Sequence, residues 1–128
     1  MRKTLFISIA LICAISIGYT QQQKTKLTSV LEIYDIEKGT RTVVKEFDGA
    51  HIEAPNWTVD GKWLIYNSRG RLYKISPNNP QEPILIDTDF AGACNNDHVL
   101  SSDGKSIAIS HSAKEDYNSR IYTLPIEG

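Results

Sequence analysis

The stretch Asn56-Trp57-Thr58-Val59-Asp60-Gly61-Lys62-Trp63-Leu64-Ile65-Tyr66-Asn67-Ser68 decides the fold. It recurs 43 residues later as Val99-Leu100-Ser101-Ser102-Asp103-Gly104-Lys105-Ser106-Ile107-Ala108-Ile109-Ser110-His111. Asp-Gly between two apolar runs marks a tight β-hairpin, because the turn needs residues that accept positive φ. Trp63-Leu64-Ile65-Tyr66 is apolar at every position, as a strand covered on both faces requires. A second string follows each copy. Arg71-Leu72-Tyr73-Lys74-Ile75 lies over Arg120-Ile121-Tyr122-Thr123-Leu124, and Glu32-Ile33-Tyr34-Asp35-Ile36 is an earlier instance. The recurring tyrosine implies a shared packing position. The interval to the last tyrosine is six residues longer, which places an insertion at 113–118. Insertions in repeat arrays gather on one face.

A period of about 40–45 residues with four strands per unit belongs to a β-propeller blade. After Gln21 apolar residues come in short runs separated by Gly, Asn, Asp and Pro, with no helical periodicity. Strands are expected at 30–36, 42–47, 54–58, 63–68, 72–76, 84–88, 98–101, 106–110 and 120–124. The fold class is therefore all-β, a partial β-propeller of about two and a quarter four-stranded antiparallel blades. These are the last two strands of one blade, a whole blade and three strands of another. Because about four blades are needed to close a ring, the chain is expected to be a fragment of a longer propeller. The alternative is several chains assembling into a ring.

The pattern Trp-x-x-Asp-Gly-Lys-x-Leu-x-Tyr-x-Ser followed by Leu-Tyr-x-Ile resembles the TolB-like (WD40-like) β-propeller repeat of bacterial envelope proteins. It departs from that repeat at Val59 and Ser102, where the family carries proline. The resemblance spans about 30–128 and implies the blade. It leaves the activity open, since such propellers serve in envelope complexes, in fusions to prolyl peptidases and in lyases of pectic oligosaccharides.

The chain opens with Arg2 and Lys3, then an apolar run over 5–17 and the small residues Ser16, Gly18 and Thr20. The run is shorter than the ~20 residues of a membrane span and has the order of a secretory signal peptide. The expected organisation is a signal peptide at 1–20 cleaved after Thr20 (the alternatives being cleavage after Gly18 or an uncleaved anchor), a linker at 21–29 and the propeller at 30–128. This implies a periplasmic or secreted protein that meets the membrane only through its export signal. Cys94 is then the one cysteine left, so no internal disulfide forms. It is expected to be a small buried apolar residue.

With 14 Lys+Arg, 15 Asp+Glu and a pI near 6.3, the chain has no basic footprint for nucleic acid. The most polar cluster is Asn95-Asn96-Asp97-His98, at the entry of an innermost strand; Glu53 aligns with Asn96 and Pro55 with His98. Glu53, Asn96, Asp97 and His98 are the candidate binding residues, forming a polar pocket for carbohydrate or peptide. Their bland alternative is turn capping, because Asn and Asp bond local backbone. His98 and His111, on adjacent strands, are weak metal candidates, since neutral imidazole is a common ligand; no tight His spacing supports them. No metal and no cofactor are expected. No Gly-x-Ser-x-Gly element is present, so serine catalysis lacks its motif. Trp57 and Trp63 are expected in the blade core. The functional expectation is a binding or interaction module for a protein or glycan partner. The alternative is part of a propeller hydrolase or lyase on polysaccharide, with Asp97 and His98 foremost.

Overall fold

The computed structural model describes residues 26–126. The expected signal peptide at 1–20 and most of the linker lie outside the described residues. Within them are nine strands and no helix: β1 (Thr28–Asp35), β2 (Thr40–Asp48), β3 (Glu53–Trp57), β4 (Leu64–Ser68), β5 (Arg71–Ile75), β6 (Ile84–Leu85), β7 (Cys94–Leu100), β8 (Ser106–Ser112) and β9 (Ser119–Pro125). All pairings are antiparallel and sequential, in sheets β1-β2, β3-β4-β5-β6 and β7-β8-β9. The division is two, four and three strands, as the repeat requires.

The sheets stack on one another through two apolar layers. Leu31 and Val44 of the first sheet pack with Leu64, Tyr66 and Ile75 of the second. On the other side Ile65, Leu72 and Ile86 pack with Cys94, Ile107 and Ile109. Alternation along β4 sends Leu64 and Tyr66 one way and Ile65 the other, so all five residues of β4 are buried. The continuous apolar run is thus an interior strand of a four-stranded sheet sandwiched between two others.

The repeated Asp-Gly segment closes by a network that is the same in both copies. Thr58 Oγ1 donates to Asp60 Oδ1 at 2.7 Å, and Ser101 Oγ donates to Asp103 Oδ1 at 2.6 Å. The N–H of Trp63 donates to Thr58 Oγ1, and that of Ser106 to Ser101 Oγ, both at 3.0 Å. The carboxylates also accept the N–H of Lys62 and Lys105. The hydroxyl two residues before each aspartate therefore belongs to the motif as much as Asp-Gly does. These bonds, led by the hydroxyl, hold both aspartates below the usual carboxylate range.

The structure corrects several expectations. The Asp-Gly loops are not two-residue turns: Thr58 N–H bonds Trp63 C=O across a longer loop, and only Gly61 and Gly104 take positive φ. The two-residue turn is Arg69-Gly70, with both residues at positive φ. The strand expected at 84–88 is shorter: its ladder covers Ile84 and Leu85, Ile86 N–H still donates to Leu72 C=O, and Asp87 and Thr88 enter a turn in which Thr88 Oγ1 donates to Ala91 C=O. Trp57 is 47% exposed and is not core. Trp63 is half-buried and carries the Lys74 ammonium over its ring. Tyr34 is exposed, whereas Tyr73 stacks on Tyr66 and Tyr122 packs against Phe90. Cys94 is buried, its Sγ directed at Ala91 C=O, and burial pushes its thiol pKa up.

Candidate functional site

The inner strands β3 and β7 lie side by side, and both bulge. In β3 the chain advances three residues from Glu53 to Asn56 while β4 advances two. In β7 it advances four from Cys94 to His98 while β8 advances two. A bulge bends its strand and re-aims side chains. The larger bulge lifts Asn95, Asn96 and Asp97 out of the ladder. Asn95 secures it: its Oδ1 accepts the Asp97 N–H at 2.9 Å and its Nδ2 donates to Ser110 Oγ at 3.0 Å. Asn96 and Asp97 are exposed. In β3 the same position is occupied by Ala54 at φ 50, a strained backbone for a non-glycine residue.

Glu53 is half-buried, its carboxylate 3.8 Å from His51 Nδ1. It opens β3, the inner strand beside β7. The second and third sheets are joined across the junction by Asn56 Nδ2 of β3 donating to His98 C=O and Asn67 Nδ2 of β4 donating to Cys94 C=O.

His98 departs from the other three. It is 8% exposed and wedged between the second and third sheets. Neither ring nitrogen makes a hydrogen bond of full geometry. Burial pushes its pKa down, while the nearby carbonyls of Ile65 and Ala54 and the Asp97 carboxylate act in the opposite sense and more weakly. The ring is thus held neutral. The structure exposes Asn96 and Asp97 at the β7 bulge, places Glu53 at the start of the neighbouring strand β3 and buries His98. Asp97 and His98 also flank a cleft of about 330 Å³ whose other walls, Val99, Ala108, Ile109 and Ile121, are apolar.

His111 does not join His98. Its Nδ1 accepts the Ala93 N–H at 3.1 Å, and its ring packs in an aromatic group with Phe90 and Tyr122. Among the described residues no three His, Cys, Asp or Glu side chains are placed to hold a metal ion.

A second cleft, of about 360 Å³, lies beside this aromatic group under the inserted segment, walled by Phe90, His111, Lys114, Arg120 and Tyr122. Asp116 braces the insertion through Arg120, at 3.1 and 2.7 Å. The Arg120 guanidinium, helped by Asn118, lowers the Asp116 pKa to about 2. The repeat spacing marks the insertion in the sequence, but not the aromatic group beside it. The 43-residue offset that joins Phe47 to Phe90 was the available signal.

The β3 and β7 entries, the Arg69-Gly70 turn and the 113–118 insertion share one end of the stacked sheets. Short bonds tie this end together: Cys94 N–H to Gly70 C=O, Ser112 N–H to Ala93 C=O and Ser68 Oγ to His51 C=O. The Asp-Gly loops occupy the opposite end.

No family model matches the chain. An uncharacterized protein of Agrobacterium fabrum is 43% identical over 102 residues, covering 80% of this chain and 34% of its own length. A solved structure described as "putative TolB" from Agrobacterium tumefaciens is 41% identical and superposes with a TM-score of 0.74. It covers 81% of this chain and 36% of its own. The chain therefore spans about a third of the length of the relatives it matches. Over its described strands it has the TolB-like all-β architecture of stacked antiparallel blades.

Proposed function

We propose that this chain is an exported β-propeller interaction module. In this reading the end bearing the β3 and β7 bulges receives a protein or glycan partner. Glu53, Asn96 and Asp97 supply the polar contacts, and buried His98 fixes the bulge from below. One observation carries the reading. Asn96 and Asp97 are exposed on a strand, lifted by a bulge that Asn95 holds through the Asp97 N–H, and among the described residues their side chains make no hydrogen bond. Bulges that re-aim polar side chains are typical of binding positions. The similarity to a TolB-like structure supports a role in the bacterial envelope. The leading residues, with their basic start and short apolar run, support export with cleavage after Thr20.

Two measurements test this. N-terminal sequencing of protein recovered from the periplasm or medium is expected to begin at Gln21; retention in the cytoplasm with Met1 intact would refute export. For binding, Asn96→Ala with Asp97→Ala is expected to lower affinity for the bound glycan or envelope protein about 10- to 100-fold, as loss of two polar contacts predicts. Its thermal midpoint should be unchanged. Undiminished affinity would refute the site.

A further inference from the structure

The cleft of about 360 Å³ under the insertion has a counterpart one blade earlier. The 43-residue offset aligns Phe90 with Phe47 and His111 with Ser68, and the tyrosine repeat aligns Tyr122 with Tyr73. Phe47, Ser68 and Tyr73 all wall a cleft of about 420 Å³ between the first two sheets. The fourth strand β6 is in place in that blade, so a complete blade leaves such a cleft open.

In the earlier cleft the serine and both cations are already bonded. Ser68 Oγ donates to His51 C=O and Arg69 Nη2 to Gly49 C=O, both at 2.7 Å, and Lys45 Nζ donates to Gln81 C=O at 2.9 Å. Phe47 is half-buried. The later cleft differs at each point. Phe90 is 63% exposed. His111 is 5% exposed, and its Nδ1 accepts the Ala93 N–H at 3.1 Å. An imidazole that accepts at Nδ1 carries its proton on Nε2. Among the described residues that Nε2–H makes no hydrogen bond, so a buried donor is left to the cleft. Lys114 comes from the insertion and forms no ion pair among the described residues. A blade junction thus forms with neither the histidine nor the insertion, and both are additions to it.

We infer that this cleft binds a carboxylate carried on an apolar body the size of one amino-acid residue. The His111 Nε2–H can only donate, so its partner is an acceptor. The Lys114 ammonium favours a charged acceptor over a neutral carbonyl. Arg120 adds little net charge, because the Asp116 carboxylate already accepts from it at 3.1 and 2.7 Å. Glu115, also on the wall, opposes an anion. Phe90 and Tyr122, edge to face with ring centroids 5.1 Å apart, offer apolar surface to the body of the ligand. The volume lies near the lower bound of about 300 Å³ for small-molecule pockets, which suits one residue and not a longer segment. The site uses neither Asn96 nor Asp97 and does not depend on the binding site proposed above.

The probe is N-acetyl-phenylalanine, titrated into the intact chain while the histidine ring nitrogens are observed by NMR. In the chain alone His111 should carry its proton on Nε2. The probe is expected to shift that nitrogen with a Kd of about 1 mM, the range for a ligand of ~15 non-hydrogen atoms. N-acetyl-phenylalaninamide has the same body without the charge, and acetate has the charge without the body; each should bind at least ten-fold more weakly. Lys114→Ala should weaken binding at least three-fold and Glu115→Gln should strengthen it about two-fold, both at exposed positions. His111→Asn keeps an acceptor for the Ala93 N–H, removes the Nε2 donor and should abolish binding; if it fails to fold, the two surface variants still decide. An acetylated tripeptide ending in phenylalanine that binds more tightly than the probe makes a chain terminus the source of the carboxylate, and equal affinity makes it a free small acid. Equal affinity for the amide, or affinity unchanged by Lys114→Ala, would overturn the proposal. So would a proton on Nδ1, or an unshifted His111 at twenty times the expected Kd.

Discussion

At the scale of single residues, close approach and burial matter more than residue class. Gly70 takes φ +76, and a Cβ there would stand 2.8 Å from Gly92 C=O. Gly61 has a similar φ of +69 with nothing within 4 Å of its missing Cβ. Gly61→Ala should therefore cost only the left-handed backbone, about 1–2 kcal/mol. Gly70→Ala adds a backbone collision at the junction of two blades and should cost about 1–3 kcal/mol more. Urea unfolding of the two variants checks this, and equal midpoints would show that the junction yields freely. His98 gives a pH signature. The fold holds its ring neutral, with a pKa below the ordinary value of about 6.5. Its contribution is present above pH ~6.5 and is lost as pH falls toward the lowered folded value. His98→Leu should flatten that acid-side slope and leave the chain no less stable at pH 5, since two unpartnered ring nitrogens are removed. A slope unchanged by the substitution would place its origin elsewhere.

At the scale of elements, β4 is the strand on which two blades are built. Its Leu64-Ile65-Tyr66 run was legible because only a strand covered on both faces carries apolar residues at successive positions. Ile65→Ala, at a position 0% exposed, should cost about 2–5 kcal/mol. Val43→Ala, at an exposed position of β2, should cost far less, and calorimetry of both variants separates them. The bulges were not legible. Nothing in Cys94-Asn95-Asn96-Asp97-His98 states that four steps of β7 will face two of β8; the side-chain bonds of Asn95 decide it. For the same reason His98 reads in sequence as one of four polar neighbours, yet the bulge turns it inward. The Asp-Gly loops were legible as turns but not as this kind of turn, because the hydroxyls of Thr58 and Ser101 extend the loop by bonding across it. β6 is shorter than its apolar run suggests, because Thr88 bonds forward to Ala91 and draws the chain away from β5.

At the scale of the whole molecule, repetition tells what each surface is. Leu72 is 0% exposed where the third sheet covers the second, and its counterpart Ile121 is 70% exposed. Asn56 reaches across the junction to His98 C=O, and its counterpart Val99 is exposed. The third sheet thus presents, with Val99, Ala108 and Ile121, the face that the second sheet buries against it. This is the pattern of a blade array with further neighbours, and it agrees with a chain that spans about a third of its relatives. The repeat made the architecture legible from two strings of sequence. The site was legible only as a polar cluster, because its shape depends on how two inner strands bulge beside each other.

In the proposed reading, the end carrying Asn96 and Asp97 is the binding end and the end carrying the Asp-Gly loops is not. The most direct measurement places a photo-crosslinking side chain at Asn96 in one protein and at Asn79, at the opposite end of the sheets, in another, both in the native envelope. One discrete partner band at position 96, absent at 79 and lost when Asp97→Ala is added, is the predicted result. Crosslinking at 79 with none at 96 would contradict the account.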